Sequence, residues 1–303
     1  GDHLTRAMAA DPNLLMGHVL RGYFMLLFAN RKLLPRAREA FDNAAAAAAK
    51  GATARERGHI SALDAWLAGD TRTALKRWDA ILVDHPLDVL ALKLAEYWTF
   101  YAGDAWAMLG SVARHLHAWD EKTPDYGFVL GMRAFALEES GDYAAAEAFG
   151  RRAVEINPED SWATHAVAHV CEMTGRQKDG IAWLEGLAGR WGSINNFILH
   201  VWWHLSLFHY ELGAFDAVLD LYDRKVRPAK NWEYLDLTNA AALLLRLELE
   251  GVDVGERWGE VARAAADHTA DHLLAFADVH YAIALATAEG DGGDTFVDGL
   301  ESY

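Results

Sequence analysis

Several histidines and a carboxylate fall at spacings that a helix would turn into single faces. His165 and His169 are four residues apart, and Glu172 lies three further on; His200 and His204 are again four apart, and His272, Phe276 and His280 make a third stripe. Residues three and four apart stand on one side of an α-helix. A His-x3-His-x2-Glu stripe and a His-x3-His stripe turned toward a shared groove supply imidazole and carboxylate donors of the kind that hold a divalent metal such as Zn, Fe or Mn. His165, His169, Glu172, His200 and His204 are the candidate ligands. The same groups suit proton transfer, because histidine titrates near neutral pH. A plainer reading stays open beside these. In a chain with 14 histidines, such pairs also serve as hydrogen-bonded bridges between packed helices. His3, His18, His85, His115, His117, His209 and His268 are assigned to that role or to solvent. The chain has no His-Glu-x-x-His, Gly-x-Ser-x-Gly, phosphate-loop or Cys-x-x-Cys motif. Cys171 lies between His169 and Glu172 but off the His165/His169 stripe, which points to a buried inert thiol.

The elements that must position these residues are marked by a ladder of turns. Asn30, Gly69, Gly103, Gly141, Gly175, Gly213, Gly251 and Gly290 each follow an apolar stretch, at successive gaps of 39, 34, 38, 34, 38, 38 and 39 residues. A fixed period of this size marks a helical repeat array, in which each helix hairpin buries its apolar face against its neighbours. From Phe128 to Pro158, Leu130, Ala134, Phe135 and Leu137 give one helical stripe and Gly141-Asp142 the break. Ala146, Phe149, Ala153 and Ile156 give a second stripe, which Pro158 ends. Ala62, Trp66, Ala74, Leu75, Trp78, Leu82 and Pro86 repeat this plan around Gly69. The spacing predicts an all-α chain of about seven to eight helix pairs, with residues 1–303 forming a single helical repeat domain. Gly251 to Gly255 reads as a turn between helices, and Ala44 to Ala49 as a strong helix former.

This plan resembles the tetratricopeptide repeat in its period, its small residues, Tyr143 after the turn and the closing proline. The resemblance implies a helical-hairpin solenoid curved around a concave inner face. In such repeats the first helix of each pair faces inward near 13, 10, 6 and 3 residues before the turn. Counted so, His200, His165, His169, Glu172, His59 and His280 fall on the inner face, Trp203 joins them, and His204 stands one step off. With 12 tryptophans in the chain, most are core, and Trp203 is the better groove candidate beside Trp202.

A closer resemblance rests on WDAILVDHPLDVLALKL (Trp78 to Leu94), DSWATHAVAHVCEM (Asp160 to Met173), HVWWHLSLFHYELG (His200 to Gly213), LRLELEGVDVGERW (Leu245 to Trp258), DHLLAFADVH (Asp271 to His280) and AADPNLLMGHV (Ala9 to Val19). These stretches resemble the tetratricopeptide repeat protein 38 family. That resemblance implies a shared polar pocket of His165, His169, Glu172, His200, His204, Asp236, Arg246, Asp278 and His280, with Arg246 able to hold a ligand carboxylate. It implies an architecture and no particular reaction. It also implies more chain beyond Gly290 and before Gly1, in keeping with the absence of an initiator Met.

Composition narrows the partners. A net charge of −16 with pI near 5.2 repels nucleic acid, and no long Lys/Arg cluster offsets it. No run of about 18 apolar residues marks a membrane span. The single cysteine forbids an intramolecular disulfide and fits a reducing, cytoplasmic setting. The inward offsets hold His, Trp, Phe, Glu and Ala, with Lys93 the main basic exception, unlike a groove built to clamp a peptide carboxylate. The chain is therefore read as a pocket for a small polar molecule. His169 and His204 act as acid/base or ligand groups, Glu172 and Asp236 as orienting carboxylates, and Trp203 as a substrate wall; His59, Arg246 and Asp278 complete the binding set. The alternatives are a non-enzymatic scaffold holding a protein or peptide, and polar residues that only tie repeats together. Apolar ends of the array would favour a homo-oligomer.

Overall fold

A Gly-Asp dipeptide performs two tasks at each of three turns, and this explains its recurrence. In the computed structural model, Gly69, Gly103 and Gly141 adopt φ of 78°, 71° and 83°, a left-handed backbone that costs glycine little. The next amide reaches back to close the helix, as in Asp70 N to Ala65 O at 2.9 Å and Asp142 N to Leu137 O at 2.9 Å. The aspartate then caps the following helix: Asp70, Asp104 and Asp142 accept from the amides of Thr73, Ala107 and Ala145. Such a cap contributes about 1 kcal/mol. Gly175, Gly213 and Gly251 turn the chain in the same way. At the first turn the left-handed residue is Ala29, with φ of 46°, and Asn30 instead caps the next turn through the Lys32 amide.

The structure describes residues 2–191, 196–287 and 296; the turn expected at Gly290 lies outside them. The described residues are all-α, in antiparallel hairpins, and divide into two compact units meeting at Val129 and Leu130. In the first unit are α1 (Asp2–Ala10), α2 (Leu15–Leu27), α3 (Leu34–Ala48), α4 (Ala54–Leu67), α5 (Thr71–Asp84), α6 (Val89–Tyr101) and α7 (Ala105–His115). Its core is fastened by a polar chain. Trp78 Nε1 donates to the Tyr23 hydroxyl, which donates to the His59 carbonyl. His59 Nε2 lies 2.9 Å from Asp88 Oδ2, Arg55 Nε donates to the same oxygen at 2.6 Å, and Asp88 Oδ1 caps α6 by accepting from Ala91 N.

The boundary falls within α8 (Tyr126–Glu139). The second unit continues with α9 (Tyr143–Ile156), α10 (Ser161–Met173), α11 (Gln177–Leu187), α12 (Phe197–Glu211), α13 (Phe215–Leu221), α14 (Tyr234–Leu249), α15 (Arg257–Ala266) and α16 (Ala275–Thr287). In this unit α10 packs on α12, α12 on α14 and α14 on α16, with α9, α11 and α15 paired to them. One departure from the expected hairpin is the end of α13, which widens into a π turn over Tyr222–Val226. Ile156, placed on a buried stripe by spacing, is 40% exposed, and Gly150 is buried in that helix instead.

Small residues set the helix separations. A Cβ added to Gly180 on α11 would stand inside the van der Waals envelope of the fully buried Phe208 ring on α12. Gly180→Ala is therefore expected to destabilise the protein by about 1–3 kcal/mol, read as a lowered urea midpoint. An unchanged midpoint would mean that the two helices separate freely.

Candidate functional site

The α10–α12–α14 layer carries the histidines to one point. The side chains of His165 and His169 leave α10 one turn apart, and those of His200 and His204 leave α12 one turn apart. One ligand nitrogen from each of His165, His169, His200 and His204 lies within 4.8 Å of every other. His200 Nε2 is 3.0 Å from His165 Nε2, and His204 Nε2 is 3.3 Å from His200 Nε2.

What stands behind the rings fixes their orientation. His200 Nδ1 donates to Asn239 Oδ1 of α14 at 2.8 Å, and His204 Nδ1 donates to Glu172 Oε2 of α10 at 3.0 Å. His169 Nδ1 is 3.2 Å from Glu138 Oε2 of α8. Two rings thus hold their protons on Nδ1, and their Nε2 lone pairs point at each other across 3.3 Å. Two bare acceptors at that distance repel unless something positive lies between them.

Aromatic rings wall the cluster. Trp203 stacks on His200 with ring centroids 5.3 Å apart, and Phe135 and Phe197 border His165 at 5.7 and 5.2 Å. Trp162 stacks on Phe197 at 4.1 Å. The Arg246 guanidinium lies 5.6 Å from the Trp203 ring centre. Burial holds His200 and His204 well below the ordinary histidine pKa, helped by their charged neighbours. Burial also opposes the charged form of His169, but Glu138, Glu172 and Glu139 outweigh it and hold its pKa up. Burial raises Glu172, with His169 and Arg246 working against that rise.

The sequence expectations divide accordingly. His165, His169, His200 and His204 come together. His204, placed one step off the inner stripe by spacing, is buried inside the cluster because α12 lies against α10. Glu172 stands behind His204 and outside the group of four nitrogens. Trp203 and Arg246 border the group. Asp236 is buried on α14, one turn before Asn239, and burial pushes its carboxyl up to about 7. His280 is partly exposed and donates from Nδ1 to the Phe276 carbonyl of its own helix. Asp278 lies 3.5 Å from His272. His59 belongs to the core of the first unit, fully buried with Tyr23 and Asp88 at its ring nitrogens, so it presents no binding surface. Cys171 is buried, and burial raises its thiol.

Glu138 and Asn239 were not singled out by sequence reasoning. A signal for Glu138 was present: it precedes Gly141 by three residues, as Glu172 precedes Gly175. Together with Glu139, Glu138 also brings carboxylate oxygens near His169.

No family model matches the sequence. Among solved structures the chain is similar to a tetratricopeptide repeat protein from Parabacteroides merdae, at 12% identity and a TM-score of 0.52, covering 89% of this chain and 98% of that one. It is also similar to human IFIT1, solved as a dimer with PPP-AAAA, at 14% identity and a TM-score of 0.58, covering 95% of this chain and 67% of that one. At these identities the likeness is one of fold: helical hairpins of the tetratricopeptide-repeat type. None of the helices among the described residues is long and apolar enough to cross a membrane.

Proposed function

We propose that the second unit is a metal-dependent site for a small polar molecule, with His165, His169, His200 and His204 holding one Zn, Fe or Mn ion. One observation carries this reading: Nε2 atoms of neighbouring histidines converge at 3.0 and 3.3 Å while Asn239 and Glu172 occupy the Nδ1 positions behind two of them. Four nitrogens at a metal distance of 2.0–2.1 Å in a tetrahedron are separated by about 3.3 Å. An outer acceptor on the far nitrogen of a ligating histidine is the usual companion of such sites, since it fixes tautomer and ring angle.

Held by all four histidines a metal would be closed off; with one of them displaced it would supply Lewis-acid polarisation or an activated water at the open position. The chain's own residues do the rest. Glu172 orients His204, Asn239 orients His200, Trp203 walls the ligand, and Arg246 pairs with an anionic group on it. His169, whose pKa Glu138 holds up against burial, is the histidine that exchanges a proton when it is the one displaced from the metal. The resemblance to the tetratricopeptide repeat protein 38 family belongs with this reading, because it joins the same His, Glu, Asp and Arg positions in one pocket.

Inductively coupled plasma mass spectrometry tests the proposal. Protein from a metal-replete preparation is expected to carry close to one transition-metal ion per chain, and the His165→Ala/His204→Ala double variant to carry almost none. No metal in either protein would overturn the reading. The inner face would then be read as a metal-free groove for a protein or peptide partner.

A further inference from the structure

The surroundings of His169 differ from those of the neighbouring histidines. Behind His200 stands one acceptor, Asn239, and behind His204 one, Glu172. Behind His169 stand two carboxylates. Oxygens of Glu138 and Glu139, adjacent at the end of α8, and a nitrogen of His169 on α10 all lie within 4.8 Å of one another. Glu138 Oε2 is 3.2 Å from His169 Nδ1, yet it accepts no aligned hydrogen bond among the described residues. One outer acceptor is enough to fix an imidazole, so the second carboxylate has some other use.

The place of these carboxylates is electrostatically unfavourable. Glu138 and Glu139 occupy the last turn of α8, which holds no basic residue, and negative charge at the carbonyl end of a helix opposes its dipole. Glu138 is 5% exposed. Among the described residues no Lys or Arg forms a salt bridge with either carboxylate, and His169 is the one cationic group in reach. Two carboxylates facing one imidazole leave the spot short of positive charge. Glu139 and His169 are each partly exposed, which gives an ion a route in and lets water complete its shell.

We infer that Glu138, Glu139 and His169 hold a second divalent cation, of the hard manganese type, beside the ion of the four histidines. An octahedral ion with bonds of about 2.1 Å sets neighbouring ligands about 3.0 Å apart and opposite ones about 4.2 Å apart; the 3.2 Å between Glu138 and His169 fits a neighbouring pair. Carboxylates with water select manganese or magnesium, whereas a set of imidazoles selects zinc or iron. For the first ion this inference rests on the function proposed above; the second ion has ligands of its own. His169 belongs to both groups, and a neutral imidazole has one lone pair to give. With Nδ1 on the second ion, its proton sits on Nε2, and the first ion keeps His165, His200, His204 and an open position. Four protein ligands mark a structural metal site, and three with an open position a catalytic one. The second cation thus turns a closed site into an open one.

The test is a titration of the full chain, preloaded with one equivalent of zinc, with manganese chloride, the free ion being read by electron paramagnetic resonance. One saturable manganese per chain is expected. Glu138→Gln and Glu139→Gln keep the side-chain shape and remove one charge each. Each is expected to weaken manganese binding at least about tenfold, while zinc content and helix content stay unchanged. Cobalt in place of zinc reads the sharing of His169: manganese is expected to shift its visible bands in wild type and not in the double glutamine variant. Unmoved bands in wild type would overturn the sharing. If the chain takes up neither zinc nor cobalt yet binds manganese through these glutamates, the four-histidine reading falls and the carboxylate site stands. No saturable manganese, or equal binding by wild type and both variants, would overturn the inference, and the two glutamates would then only orient His169.

Discussion

Asp88→Ala is expected to destabilise the protein by about 3–5 kcal/mol, the cost of stripping one partner from a buried charged network. Asp88 is 5% exposed and serves three groups at once: His59 Nε2, Arg55 Nε and the Ala91 amide at the start of α6. Alanine would leave a buried imidazole without its acceptor, take the partner from the partly exposed Arg55 and remove a helix cap. His59 also holds Tyr23, which accepts from Trp78, so the loss reaches α2, α4, α5 and α6 together.

Acid should erase part of this contribution in a known direction. Burial alone would raise the Asp88 carboxyl, but hydrogen bonds from His59, Arg55 and the Ala91 amide outweigh it and hold it far below the ordinary carboxylate range. A folded-state pKa below the unfolded one means that the stabilisation is complete above the unfolded value, about 3.9, and fades as pH falls through the folded value. Urea melts of wild type and Asp88→Asn at pH 7 and pH 3 check this. The asparagine deficit should be larger at pH 7. Equal deficits at both pH values would show that the ionised form of Asp88 adds nothing.

The contrast between this network and the histidine cluster explains what the sequence could tell. Period and turn chemistry are local. Gly69-Asp70 and Gly141-Asp142 announce their own geometry, because one residue supplies the left-handed turn and the next the cap. Stripes such as His165/His169 are local too, since one helix turn determines them. The offset from the turn is less informative, because it reports a face without saying whether that face is open. His59 and His165 share the offset of ten residues, yet His59 is fully enclosed by Tyr23 and Asp88, whereas His165 is buried among three other histidines. Neighbouring helices decide this, through residues 29 to 36 positions away for His59 and 35 away for His165. Asn239 was illegible for the same reason: an asparagine on α14 acquires meaning only when packing sets it behind His200. The π turn at Tyr222 leaves no mark on hydrophobic period at all, since one extra residue per turn does not change which residues are apolar.

His200→Ala is expected to weaken zinc binding more than any change behind the rings does. Four ligands sharing about 10–16 kcal/mol of binding free energy supply roughly a quarter of it each, so losing one costs roughly 10²–10³-fold in affinity. His200 is the member whose Nε2 approaches both His165 and His204, so its removal takes away both of those contacts. Asn239→Ala leaves the ligand in place and removes only the acceptor behind it, and Glu172→Ala does the same for His204. Changes of that kind cost about 10–100-fold. Competition against a chelating dye of known zinc affinity should therefore rank wild type first, the Asn239 and Glu172 variants together in the middle, and His200→Ala last, with helix content unchanged throughout. Cobalt substitution adds a second reading, because a site of nitrogen donors in tetrahedral array gives intense visible absorption that a six-coordinate one does not. If His200→Ala bound zinc as tightly as wild type, the convergence of these nitrogens would be a hydrogen-bonded bridge between α10 and α12, and the histidines would serve packing alone.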